Sequence, residues 1–286
     1  MKRCLAPILL LALISCNTNA EQVKDDKSIE SSVEIAVSIN PAGRTISERF
    51  PEPTGFTRVK AQENSFAAYL QNFKLKPHGA VVHYYNGKVK PNDDVYEAVL
   101  DIDVGNYDLQ QCADAVMRLR AEYLFKQKRF SDIHFNFTNG FKADYSKWQQ
   151  GYRVNVNGNT TNWVKKVAPS TAYTSFRDYL KLVFTYAGTK SLEKEMKAIA
   201  IKDIKIGDVF IKGGSPGHAV IVVDMAVNVQ TNEKLFLLAQ SYMPAQEIQI
   251  LKNPMSPNLS PWYSTNFTGP LFTPEWTFQK SQLKRF

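Results

Sequence analysis

The sequence predicts an α+β fold, an antiparallel sheet packed on a helix. Three observations carry this. Residues 108–124 read as one amphipathic helix. From Ile206 onward the apolar pattern shortens to strand-like runs at Val209-Phe210-Ile211, residues 218–223 and residues 235–240. Asn86-Gly87 is a hairpin turn signal, and Gly213-Gly214-Ser215-Pro216-Gly217 is a second turn.

The helix is the centre of the reading. Asp108 is its expected N-cap, with Gln111 three residues on in capping-box spacing. Leu109, Cys112, Ala113, Val116, Leu119 and Tyr123 recur at helical period as one apolar stripe. Cys112 therefore sits in the first turn, on the face that meets the rest of the protein. Unpaired N–H groups and the positive helix end favour a thiolate there, and the thiolate is the nucleophile. The competing reading is a small buried hydrophobe.

The start of the chain is a targeting segment. Lys2 and Arg3 form a positive region, and an apolar run too short to span a bilayer ends in Leu13-Ile14-Ser15-Cys16. This resembles the bacterial lipobox, which implies cleavage after residue 15 and a membrane anchor by lipidation of Cys16. Loss of Lys2 and Arg3 lowers the formal charge from +8 to +6 (8 − 2). That mild excess suits an anionic envelope surface or plain solubility. No dense basic run or nucleic-acid motif accompanies it, so nucleic acid is set aside. Of the three cysteines, Cys4 leaves with the signal and Cys16 carries lipid. Cys112 is then a lone thiol in an exported protein, and a disulfide framework is excluded. Residues 16–40 are polar and read as a flexible tether. Residues 41–286 are enough for one sizeable domain.

In chain order, residues 65–73 have helical spacing with Ser65 as cap. Residues 80–85 and 95–104 read as strands, with Val81-Val82 able to pair with residues 99–104. Residues 133–137 form another strand. Trp148, Tyr152 and Trp163 stand among amides, either as sugar-stacking aromatics or as the core of a β-hairpin, the plainer reading. Residues 173–187 form a helix stopped by Gly188, and Ser191 caps a second helix carrying Leu192, Met196 and Ile199. Beyond Asn253 a tail rich in Pro, Ser and aromatics is expected to wrap the surface, anchored by Trp262, Trp276 and Phe278.

A cysteine nucleophile needs a base. His78 and His83 lie five residues apart on opposite faces of a strand, which argues against a shared metal site. His134 lies in an alternating run, as a surface or core-edge residue. His218 opens an apolar strand directly after a glycine turn, at a sheet rim. Asp224 is six residues further along that strand, too far to orient it. A hairpin centred near residue 229 or 230 puts Gln240 nearly opposite His218, where its amide oxygen can accept from one ring nitrogen; a register slip would substitute Ser241.

Here the residues resemble a family. Gly207-Asp208-Val209-Phe210-Ile211, a turn, then Gly217-His218-Ala219-Val220-Ile221-Val222 look like the second half of the NlpC-type and CHAP-type cysteine peptidases and amidases. The resemblance implies a papain-like fold in which the cysteine begins a helix, the histidine begins a strand, and a polar third residue comes from the next strand. Cys112, His218 and Gln240 match those places in order. Two features depart from it: Gln111-Cys112-Ala113-Asp114 replaces the frequent Asp-Cys-Ser-Gly, and residues 130–200 stand as an insertion. The whole chain also resembles an exported lipoprotein family catalogued only as a domain of unknown function.

The resemblance implies amide hydrolysis through a Cys112 thioester, without metal or organic cofactor. The envelope location suggests peptidoglycan, at the muramoyl–alanine amide or a stem-peptide bond. The Cys112 backbone N–H is the expected oxyanion donor, and Asn106 and Gln111 are candidates to add a side-chain amide. The alternative is a non-catalytic envelope lipoprotein that binds wall glycan or a protein partner on the same scaffold.

Overall fold

The computed structural model describes residues 36–286. The signal segment, Cys16 and the tether through residue 35 lie outside the described residues. Val37 and Ile39 already pack on the core, so folded chain begins a few residues before 41.

The α+β expectation holds. Seven strands run in the order Tyr96–Val99, Gln249–Leu251, Lys234–Gln240, His218–Val227, Val209–Lys212, Leu283–Arg285, Lys197–Ala198, with every pairing antiparallel. Two short strands, Thr57–Arg58 and Tyr263–Ser264, attach to this path. The His218–Val227 strand is central and covered on both faces. That is why its sequence reads as a continuous apolar run rather than an alternation.

On one face Val209, Ile211, Ala219, Ile221 and Val223 meet Ala113, Val116 and Leu119 of the Cys112–Lys126 helix. On the other, Phe210, Val220, Val222, Phe236 and Leu238 meet Tyr263, Leu271, Phe278 and Leu283 from the tail. The tail therefore does more than wrap the surface. Its last segment inserts as a strand beside Val209–Lys212, and Arg285 pairs in a fork with buried Asp208 at 2.6 and 2.7 Å. Trp262 and Phe278 are buried as expected, whereas Trp276 is only half-buried.

Several local expectations change. The strand in residues 95–104 is confined to Tyr96–Val99, which pairs with Gln249–Leu251 and not with Val81-Val82. Residues 80–85 form no ladder. They are held by bridges at His83–Val89 and Tyr84–Gln246 around the Asn86-Gly87 turn, where Gly87 has φ +80°. The helix expected from Ser191 is Thr189–Glu195, and Ser191 caps it from inside by accepting the Gly188 N–H at 3.1 Å.

Residues 130–200 hold two hairpins and three α-helices built onto the helix-side core. Phe176 stacks on Phe125 of the Cys112 helix at 4.3 Å. Trp148 is buried, its Nε1 donating to the Ser175 carbonyl at 3.0 Å, and Trp163 packs on Phe141 at 5.6 Å. These aromatics serve the core, as the plainer reading has it.

Candidate active site

The helix begins at Cys112 itself, with Gln111 extended as N-cap at φ −94° and ψ −158°. The expected Asp108 cap is corrected. Asp114 closes the cap by accepting the Gln111 N–H at 3.0 Å, while Asp108 accepts from the Ala245 N–H at 2.7 Å and from Gln111 Nε2 at 3.1 Å. As first helical residue, Cys112 has a backbone N–H without a helical acceptor.

A helix N-terminus alone would lower the thiol pKa, but here the balance goes the other way. Burial pushes the Cys112 thiol up to about 11, with the Asp114 carboxyl adding to it. Contacts with the N–H groups of Ala113, Ala219 and Cys112 oppose this and lose. Burial also pushes Asp114 up to about 8, so below that pH its own effect on the thiol falls away. The thiol is uncharged at neutral pH, because desolvating a thiolate outweighs what one helix end returns.

His218 starts the central strand as expected. The turn before it depends on Gly217, where a Cβ would lie 2.5 Å from Thr189 Oγ1 and 2.7 Å from two carbonyl oxygens. The Gly207-Asp208 pair has an equally local cause. Gly207 has φ +95°, with a would-be Cβ 3.0 Å from the Phe66 ring, and Asp208 accepts from the Lys205 N–H at 2.7 Å. Burial drives the His218 imidazole down to about 4, against the Gln240 hydrogen bond, with the Lys90 charge assisting burial.

His218 Nε2 meets Gln240 Oε1 at 2.8 Å. The register near His218 centres the hairpin on residue 230, within the expected range. Ala239 pairs with Ile221, so Gln240 continues the ladder opposite Val220, and its side chain reaches back diagonally to His218 on the same face. Ser241 is turned away, donating to the carbonyls of Gln110 at 3.1 Å and Gln246 at 2.7 Å. Asp224 is also elsewhere, held by Arg58 at 2.9 Å and Gln71 at 2.7 Å.

Cys112 and His218 both line one cleft of about 940 Å³. The helix lies against one sheet face and the His218 ring belongs to the other, and they meet at the sheet rim, where the thiol touches the Ala219 N–H. No hydrogen bond joins thiol and imidazole among the described residues. Tyr242 and Trp276 flank the ring, at centroid distances of 4.8 and 5.3 Å. The opposite wall comes from residues 130–200, through Phe184, Thr189, Lys190 and Glu193.

Set beside known proteins, residues 46–285 match the sequence model of one family, described as Domain of unknown function (4846). The chain belongs to the DUF4846 family. No curated protein and no solved structure matches it.

In this DUF4846 domain the two oxyanion candidates separate. Gln111 lines the cleft, with its amide nitrogen committed to Asp108. Asn106 does not reach it. Asn106 lines a neighbouring cavity of about 200 Å³ with Arg177 and Lys181, on the far side of Leu109. Among the described residues no three His, Cys, Asp or Glu side chains gather to hold a metal ion. His83 instead contacts Glu247 at 3.2 Å.

Sequence reasoning missed the groups behind Gln240. Its Nε2 donates to Glu275 Oε2 at 2.6 Å, and Glu275 takes both oxygens to the buried Lys90 ammonium at 2.8 Å. Glu275 is 185 residues from Lys90 and sits in an aperiodic tail. The one usable signal was the cluster of tail aromatics around it.

Proposed function

We propose that this domain is a papain-like cysteine hydrolase of amide bonds, with Cys112 as nucleophile, His218 as base and then acid, and Gln240 orienting the ring. The observation that carries the reading is the 2.8 Å His218–Gln240 bond beside a cysteine at the first position of a helix, all at one cleft. Gln240 Oε1 can only accept, so His218 carries its proton on Nε2 and keeps the Nδ1 lone pair.

With both groups neutral at rest, the chemistry runs by general base catalysis rather than from a standing ion pair. As Cys112 Sγ attacks the substrate carbonyl, Nδ1 takes the thiol proton. The oxyanion accepts from the Cys112 N–H. Collapse breaks the C–N bond, and the imidazolium gives its proton to the departing amine. Water then attacks the thioester, yielding its proton to Nδ1, and the sulfur leaves as thiol. Such hydrogen bonds are often loose without substrate and tighten in the complex.

The substrate proposed is peptidoglycan, at the muramoyl–alanine amide or a stem-peptide bond, met outside the cytoplasm by a chain anchored at Cys16. The lipobox and the lengthened wall built by residues 130–200 support this. The uncharged thiol favours the alternative, a non-catalytic lipoprotein that binds wall glycan or a protein.

Digestion of purified peptidoglycan separates the two. Wild type should release fragments with new amino groups. Cys112→Ala and His218→Ala should each lower the rate more than about a thousandfold, and Gln240→Ala by less, roughly ten- to a hundredfold. Equal digestion by Cys112→Ala and wild type would end the hydrolase reading.

A further inference from the structure

We infer that Glu275, held by Lys90, is a positioning residue that sets the tautomer of His218 through Gln240. The inference rests on the hydrolase reading for its purpose, but its geometry stands alone. Three segments far apart in sequence converge on one carboxylate. Lys90 follows the Asn86-Gly87 turn, Gln240 ends the strand next to His218, and Glu275 lies in the tight connection between Leu271–Phe272 and Thr277–Phe278.

An amide can present either its oxygen or its NH₂ to an imidazole, and nothing in Gln240 alone decides which. Glu275 decides it. With both oxygens 2.8 Å from the Lys90 ammonium, it is ionised and can only accept. The 2.6 Å contact therefore requires the NH₂ of Gln240 on its side. The amide oxygen then faces His218 at 2.8 Å, and an acceptor there requires a proton on Nε2. Nδ1 is left without a proton, which is the form a general base must have. Were the amide reversed, its NH₂ would hold a bare Nε2, and the proton would sit on Nδ1, disabling the base.

Lys90 completes the device. It is 4 % exposed, so the carboxylate it holds cannot turn out to solvent without stranding a buried ammonium. Tyr242 lies over this pair. Its ring centroid is 5.9 Å from Lys90 Nζ, and its hydroxyl donates to the Glu275 backbone carbonyl at 3.4 Å. Trp276, the next residue, packs on the His218 ring. The tail hairpin thus supplies both the wall against the imidazole and the charge that orients its partner.

The test uses the full folded domain and reads the tautomer directly. In wild type, imidazole nitrogen shifts should show His218 as the Nε2–H form alone. In the double variant Glu275→Gln/Lys90→Met no ion remains, and a carboxamide at 275 can donate or accept. The two amides can then flip as a unit, and the Nδ1–H form should appear beside the other. Cys112 alkylation and any amide turnover should fall at least about threefold, in kcat rather than KM. Glu275→Asp, still acceptor-only, should restore the single tautomer. An unchanged Nε2–H signal in the folded double variant would overturn the inference. That readout needs no turnover, so it stays decisive if no substrate is cleaved. A His218→Ala variant that alkylates like wild type would instead reject the hydrolase reading itself.

Discussion

At the scale of single residues, desolvation rules the two central groups. Both stay uncharged near neutral pH because packing strips water from each charged form, fully at His218 and in part at Cys112, which lines the cleft. His218 falls from its ordinary 6.5 to about 4. Its contribution to stability is therefore fully present above about pH 6.5 and is lost as the pH falls through 4, on the order of 3 kcal/mol. Cys112 has the opposite sign: raised from 9.0 to about 11, it contributes below pH 9 and loses that contribution as the pH rises through 11. Two titrations check this. Imidazole NMR should find His218 neutral down to about pH 5, and thiolate ultraviolet absorbance should be absent at pH 7, developing only above about pH 9. A thiolate signal at pH 7 would replace the general-base account with an ion pair. The sequence revealed where Cys112 sits and misjudged its charge. Its place in the first turn follows from local period, although the cap is Gln111 and not Asp108, whereas burial depends on strands more than a hundred residues away.

At the scale of elements, the Glu275–Lys90 pair joins the tail hairpin to the body of the fold. Removing only the carboxylate leaves a buried ammonium unpaired, so Glu275→Ala should destabilise by about 3 kcal/mol. Glu275→Gln/Lys90→Met should cost under about 1.5 kcal/mol, because a buried ion pair replaced by neutral groups of similar shape is often near neutral. Urea unfolding of both variants checks the contrast, and equal losses would contradict it. The central strands and the Cys112 helix were legible because their apolar periods are local. The partner of Tyr96–Val99 was not, since a pairing choice between two equally apolar segments is made by tertiary packing. A bulge between Leu237 and Leu238 brings Gln240 one residue nearer to His218, opposite Val220 rather than Ile221, and no residue there announces it. The role of Glu275 was not legible for a simpler reason: the tail aromatics mark its neighbourhood, but an ion pair between aperiodic segments leaves no pattern in sequence.

At the scale of the whole molecule, one cleft gathers residues from widely separated parts of the chain between 108 and 276. The helix brings Cys112, the central strand His218, the tail Trp276, and residues 130–200 the facing wall. Under the proposed hydrolase reading, the chemistry and the shape of the cleft come from different regions of the chain. The claim beneath all of this is that His218 acts on Cys112. Cys112 is the one cysteine among the described residues, so intact-mass detection of iodoacetamide labelling has a single target there. The folded wild type should take one label near pH 7, and His218→Ala should slow it at least about tenfold while remaining folded. Labelling that waits for unfolding, or that proceeds at the same rate without His218, would contradict the account.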